Sequence, residues 1–445
     1  MSLCRALDQV GQAGYTDARE RRLVLARLES PLEARPRMTN VTIANASVVL
    51  PDRVLERGTV RVDDGRISLI EPGPVNPVTT QEHIVDADGA YLIPGVVDLH
   101  NDNLELEVHP RASANLPLPF ALSVMERRLA ASGVTTEFHA VAFQERKDKN
   151  RHLTDAEVRA AFLSPFDDDP RRGVRHHILH RLDMRTPGSL EAALPTLRRA
   201  SVPYISLNDH TPGQGQYRDV ERFIALAQQE HATRGREQTS AAWYHEQMRA
   251  KLADTETVPA FYRQVAAAMS DLPMTLATHD DDTIAKVDAQ LMLGARIAEF
   301  PITLEAAHHA REHGMAVVVG APNILRGGSQ SGNLNATDLV AAGLADIICA
   351  DYHAPCLIPA AFRLVQDGLL DLPAAIAMIT RTPARAVGFT DRGEITSGQL
   401  ADLALVRVDA SGLPQVEATF CGGIPAFTFA RYPEKPGRSV SGAES

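Results

Sequence analysis

From Val41 the chain runs in short alternating apolar and polar stretches broken by tight turns. VTIANASVVL and GTVRVDDGRISLIE read as strands, with Asp64-Gly65 as the hairpin turn between two of them. HIVDADGAYLIPG is a further strand leading into VVDLH. Beyond Val96 the pattern changes. GVVDLH, VTTEFHAVAF, HHILHRLD, PYISLNDH, MTLATHD, RIAEFP, MAVVVG and DIICAD are short apolar runs separated by longer amphipathic stretches. Such alternation predicts βα units, and strands this uniformly apolar suit a parallel wall buried on both faces.

The predicted fold is therefore α/β: a TIM-type (β/α)8 barrel over 94–391. A composite β-sandwich domain is expected from 39–93 and 392–430, where GEITSGQLADLALVRV and VEATFCGGIPAF return to strand text. A barrel uses roughly 250 residues, so a chain of 445 has room for both. Residues 228–271 are helical, charged and long for one crossover, and are expected to form an inserted helical pair, a lid or an oligomer contact. Residues 1–38 are expected to be a separate extension, either a helical arm or sequence upstream of a true start at Met38.

Composition narrows the function classes. The formal net charge is −11, which argues against nucleic acid as a partner and leaves room for a local pocket for a small anionic substrate. No apolar run approaches the length of a membrane span. Cys4, Cys349, Cys356 and Cys421 are scattered and fit neither a disulfide framework nor a CxxC zinc module, so a cytoplasmic location is expected. Met1 to Asn40 lacks the charged-then-apolar pattern of a secretory signal. A homo-oligomer is the expected assembly.

The polar exceptions gather at strand ends. VVDLH ends in His100 with Asp102 two residues on, HHILHRLD ends in Asp183, PYISLNDH in His210, MTLATH in His279 and DIICAD in Asp351. In a barrel these ends converge on one mouth. Three histidines and three aspartates suit two divalent cations, zinc first and manganese second, and their charge would relieve the repulsion among the carboxylates. Taken singly, each residue has a plainer reading as a turn, cap or ion-pair residue, and Asp183 could simply pair with Arg181. His139, His176, His177, His180 and His353 are expected to pack or lie on the surface. In the stretch from Gly320 to Asn333, Gly327 and Gly328 would let backbone N–H groups approach an anion beside Arg326. Arg111 is a second candidate phosphate clamp.

LIPGVVDLHND resembles the first-strand signature of the amidohydrolase superfamily, and GEITSGQLADLALV resembles its return to the β domain. More narrowly, DLHNDNLELEVHPR, SLNDHTPGQGQ, THDDDT, IAEFPITLEAA, VGAPNILRGGSQSGN and ADYHAP resemble the alpha-D-ribose 1-methylphosphonate 5-triphosphate diphosphatases of bacterial phosphonate catabolism. The resemblance runs from about Val41 to Phe427. It implies metal-dependent hydrolysis of a phosphoanhydride with release of pyrophosphate. His100 and Asp102 would then hold one metal, His210 and His279 the other, with Asp183 bridging and Asp351 as both ligand and general base. Gln214, Asn323, Arg326, Gly327, Gly328, Ser329 and Asn333 would bind substrate together with Arg111.

Four positions depart from that family's pattern. Gln330 stands for a histidine, Gly215 for an arginine, Cys349-Ala350 for a serine pair, and Asp183 for a glutamate. They leave two alternatives open. One is a paralogue hydrolysing a C–N bond of a cyclic amide, or a related phosphate ester. The other is a structural relative without catalysis.

Overall fold

The computed structural model describes residues 40–73, 83–111, 114–145, 152–233, 240–329 and 332–429. The proposed N-terminal extension lies outside these residues, and so does Gln330. Five strands open the chain: β1 (Asn40–Val49), β2 (Val54–Asp63), β3 (Arg66–Pro72), β4 (His83–Asp86) and β5 (Tyr91–Pro94). Eight follow: β6 (Val96–Asn101), β7 (Val134–Phe143), β8 (Arg175–Asp183), β9 (Tyr204–Asn208), β10 (Thr275–His279), β11 (Ile297–Glu299), β12 (Ala316–Gly320) and β13 (Ile347–Cys349). Three close it: β14 (Leu403–Val408), β15 (Pro414–Cys421) and β16 (Ile424–Thr428).

The first and last groups make one sheet in the order β16-β15-β14-β5-β1-β2-β3, with β4 also paired to β1. The two ends of the chain join where β5 pairs antiparallel with β14. Asp64 and Gly65 both take positive φ, 47° and 77°, which is the backbone a two-residue hairpin needs to follow the strand twist. Val41, Ile43, Val60, Val62, Leu92, Leu403 and Phe420 form the core of this sheet.

The middle eight strands form a parallel sheet in sequence order from β6 to β13. Each expected barrel strand falls on one of them. The sheet curls nearly shut through an isolated parallel bridge between Asn101 and Asp351. Successive side chains alternate between its two faces. Val97, Leu99, Phe138, Leu179, Tyr204, Ala277, Ile297, Val318 and Ile347 fill the interior. Ile178, Leu182, Ile205, Leu276, Val317 and Ile348 pack outward against the helices. Several of those helices begin on a side-chain cap that accepts a backbone N–H, as Thr283, Thr303, Asn335 and Asp371 do.

Between β9 and β10 the helices Val220–Thr233, Ala241–Ala253 and Thr257–Asp271 make the long crossover. Phe223, Ile224 and Tyr244 form their own small cluster, with Tyr217 packed against it. Tyr217 in turn meets the ring of His210 at 6.1 Å, which places the insertion beside the barrel mouth.

Candidate metal and active site

At the C-terminal ends of the barrel strands lies a cavity of about 530 Å³. His100, Asp102, His210, His279 and Asp351, five of the six expected ligand residues, all line it. The register of β6 slips between Asp98 and Asn101, so the strand ends on a changed phase. Asp98 fixes that end by accepting the Ala350 N–H at 2.9 Å and the His100 N–H at 3.3 Å. The sequence reading named neither Asp98 nor Ala350 as a support.

Asp183 lies elsewhere. It ends β8, where its carboxylate accepts the Arg185 N–H at 2.8 Å and its carbonyl accepts the Ser189 hydroxyl at 3.0 Å. It is absent from the cavity lining, which has Arg181 instead. Leu179 points into the barrel interior, and Arg181 two residues on continues that face. Its expected plain partner, Arg181, pairs with Asp102 at 2.6 Å instead.

The carboxylate nearest His100 is one the sequence reading missed. Glu299, the last residue of β11, is fully buried and sits 3.2 Å from His100 Nδ1. It also accepts from the Tyr204 hydroxyl at 3.2 Å and the Ser206 hydroxyl at 2.6 Å. Burial pushes the Glu299 carboxyl up, but His100, His279 and the Ser206 hydroxyl outweigh it and hold it below its ordinary range. Burial works against protonating His100 as well, yet the Glu299 and Asp102 carboxylates outweigh it and raise the ring to about 10. The signal was available: IAEFP ends its strand on an acid, as HRLD does.

Asp280 is the second missed residue. Of the three aspartates in THDDDT it alone lines the cavity. Asp282 pairs with Lys286 at 2.6 Å, and Asp281 is buried and accepts from Gln290 at 3.1 Å. Asp280 Oδ2 lies 3.0 Å from His279 Nδ1 and 3.7 Å from His210 Nε2. Both Asp280 Oδ2 and His279 Nδ1 are buried without a hydrogen-bond partner. Buried polar atoms are rarely left in that state, and an N,N,O set of this kind suits zinc or manganese. Among the described residues two groups have ligand atoms close enough to hold an ion: His210, His279 and Asp280, and His100, His279 and Glu299. Phe300 backs the cluster, 5.2 Å from the His100 ring and 5.3 Å from the His279 ring.

Asp351 has a left-handed backbone, φ 57°. Desolvation, then the Asp102 carboxylate, push its pKa up to about 7. That is the range in which a carboxylate serves as a base at neutral pH.

Among the expected substrate contacts, Asn323, Arg326, Ser329 and Asn333 line the cavity. Asn323 also holds the loop together, accepting the Ala336 N–H at 3.1 Å and donating to the Leu334 carbonyl at 3.2 Å. Gly327 takes φ 72° and ends the helix Ala321–Arg326; neither it nor Gly328 lines the cavity. Gln216 lines the cavity where Gln214 was expected, and Arg111 is exposed outside it. Gly215 has a backbone reason to be glycine. Its φ is 52°, its N–H donates to Asp282 at 2.8 Å, and an added Cβ would sit 3.1 Å from the Asp280 carbonyl. The histidines expected to pack do so: His139 meets His176 at 2.9 Å, His177 stacks on Phe138, and none lines the cavity.

A profile of the amidohydrolase family matches residues 253–431. Over 371 residues the chain is 35% identical to the alpha-D-ribose 1-methylphosphonate 5-triphosphate diphosphatase of Escherichia coli strain K12, covering 82% of this chain and 94% of that one. The chain belongs to the amidohydrolase family. Amidohydrolase-type solved structures share its fold. The dihydropyrimidinase of Brevibacillus agri superposes with a TM-score of 0.57 at 14% identity, over 87% of this chain and 95% of that one. A zinc-bound adenosine deaminase of Xanthomonas campestris gives 0.54 at 18% identity, over 88% and 93%. Among the described residues no helix is long and apolar enough to cross a membrane.

Proposed function

We propose that this amidohydrolase is a metal-dependent diphosphatase that opens a phosphoanhydride of alpha-D-ribose 1-methylphosphonate 5-triphosphate and releases pyrophosphate. The observation that carries the reading is the cavity itself. One space of about 530 Å³ joins the imidazole and carboxylate cluster to Arg326, Ser329 and Asn333. Likeness to the Escherichia coli diphosphatase over nearly its whole length supports the same substrate class.

A divalent cation on this donor set would polarise a phosphoryl oxygen and make water more acidic. The chain's own residues supply the rest. Asp351 accepts the proton of the attacking water, and the oxygen–phosphorus bond to the leaving pyrophosphate breaks as the new one forms. Arg326, Ser329 and Asn333 hold the phosphates in line, which aids the reaction by positioning and charge. Glu299 fixes the ring plane of His100. The sequence pattern pointed to two cations, zinc or manganese.

Gly215 favours a second reading, hydrolysis of a cyclic amide, because an arginine is expected there in the diphosphatases. Its left-handed backbone against the Asp280 carbonyl gives it a conformational reason instead. Side-by-side assays of the metal-loaded protein on the ribose triphosphate ester and on a dihydropyrimidine test the choice. Pyrophosphate release alone supports the diphosphatase, and ring opening alone refutes it.

A further inference from the structure

Arg181 is a largely buried, permanent positive charge inside a site expected to hold metal. Its Nη1 donates to Asp102 at 2.6 Å and its Nη2 to the Asn208 side-chain oxygen at 3.2 Å. Nη2 also lies 3.3 Å from His279 Nε2. The Arg181 side chain is 11% exposed and comes from β8, below the loops that form the rim. A guanidinium never loses its charge in a protein and never donates a lone pair to a metal.

The two ligand groups both need His279. Filling both at once requires one imidazole to bridge through both nitrogens, with Arg181 expelled from Nε2. The group on the His100 side is already satisfied, since Glu299 accepts three hydrogen bonds there. The group on the other side holds His279 Nδ1 and Asp280 Oδ2, which face each other at 3.0 Å without a hydrogen bond to any group, in side chains 7% and 8% exposed. A cation held at Nδ1 would leave the ring hydrogen on Nε2, so the contact with Arg181 would no longer be a hydrogen bond. The bonds of Arg181 to Asp102 and Asn208 do not depend on that ring and persist.

We propose that the site takes one divalent cation, held by His210, His279 and Asp280, and that Arg181 supplies the second positive charge on the His100–Asp102 side. The inference rests on the metal-dependent reading above. It assigns Arg181 a positioning role: the guanidinium neutralises Asp102 and keeps a second ion out.

Equilibrium dialysis of the stripped full chain against Zn²⁺ alone, and separately Mn²⁺ alone, with elemental analysis, tests the proposal without any activity assay. One tight equivalent per chain is the expected result; two overturn it while leaving metal dependence intact. No bound metal overturns both. Arg181→Gln, with its fold checked by circular dichroism, is expected to admit a second equivalent, and a count still at one removes Arg181 as the excluding group. Asp280→Asn is expected to weaken the single ion at least tenfold, whereas Asp102→Asn keeps the count at one or above. The reverse pattern places the ion on the wrong side and overturns the assignment.

Discussion

The Asp351 N–H donates to the carbonyl of His100 at 2.9 Å, and the Asp351 carbonyl accepts the N–H of Asp102 at 2.8 Å. The last barrel strand and the first are stitched together at the residues whose side chains meet in the cavity. Closing the barrel and assembling the site are thus one structural event.

Replacing Asp351 by Asn retains these backbone bonds and removes the base. Turnover is expected to fall by roughly 10²–10⁴, the usual contribution of a positioned acid–base group. Metal content measured on the same sample should match the native protein. Undiminished turnover would show that another group takes the proton.

Glu299→Gln tests the missed acid. The amide keeps one accepting oxygen, so it can serve the Ser206 or the Tyr204 hydroxyl but not both, and it loses the charge facing His100. A loss of about 1–3 kcal/mol in urea unfolding of the metal-free protein is expected, the scale of a charged buried hydrogen bond. An unchanged midpoint would mean that Glu299 does not stabilise the His100 side.

Most of this geometry was legible in the sequence, and the exceptions have physical causes. Eight apolar runs became eight barrel strands because apolar segments of that length can be buried on both faces only as a parallel wall. His100, Asp102, His210, His279 and Asp351 were found because polar residues at such ends are conspicuous. Asp183 misled for the same reason: it is a strand-end acid, but its carboxylate closes a local turn on Arg185. Arg181 was read only as that acid's partner, though strand alternation puts it on the inward face with Leu179. Asp280 hid in a run of three aspartates, and Glu299 was passed over although it is a strand-end acid. Which acid of a run turns inward depends on backbone such as the φ of 58° at Asp280, which no spacing rule encodes.

His180 gives the fold an acid limit. It is fully buried, 2.9 Å from the Thr196 hydroxyl and 3.2 Å from the Tyr204 carbonyl. Burial pushes its pKa down from 6.5 to about 4. The unfolded chain therefore binds the proton first, so this contribution is complete above pH 6.5 and is lost as pH falls towards 4. The loss is about 3 kcal/mol. Urea titrations across that window should show it, and His180→Gln should flatten the slope. An equal slope in the variant would place the acid sensitivity elsewhere.

Arg326→Ala removes an exposed cation from the cavity rim. If Arg326 grips phosphate, kcat/KM should fall roughly 10- to 100-fold, the worth of one charge-assisted hydrogen bond. Metal binding should not change. Equal kcat/KM in variant and native protein would leave the phosphate grip to Ser329 and Asn333.

Phosphorus NMR of metal-loaded protein with alpha-D-ribose 1-methylphosphonate 5-triphosphate, beside a metal-stripped control, tests the central claim most directly. The expected spectrum shows pyrophosphate and a ribose 5-phosphate ester growing together in the loaded sample only. An intact triphosphate, in protein shown to hold its metal, would contradict the diphosphatase reading.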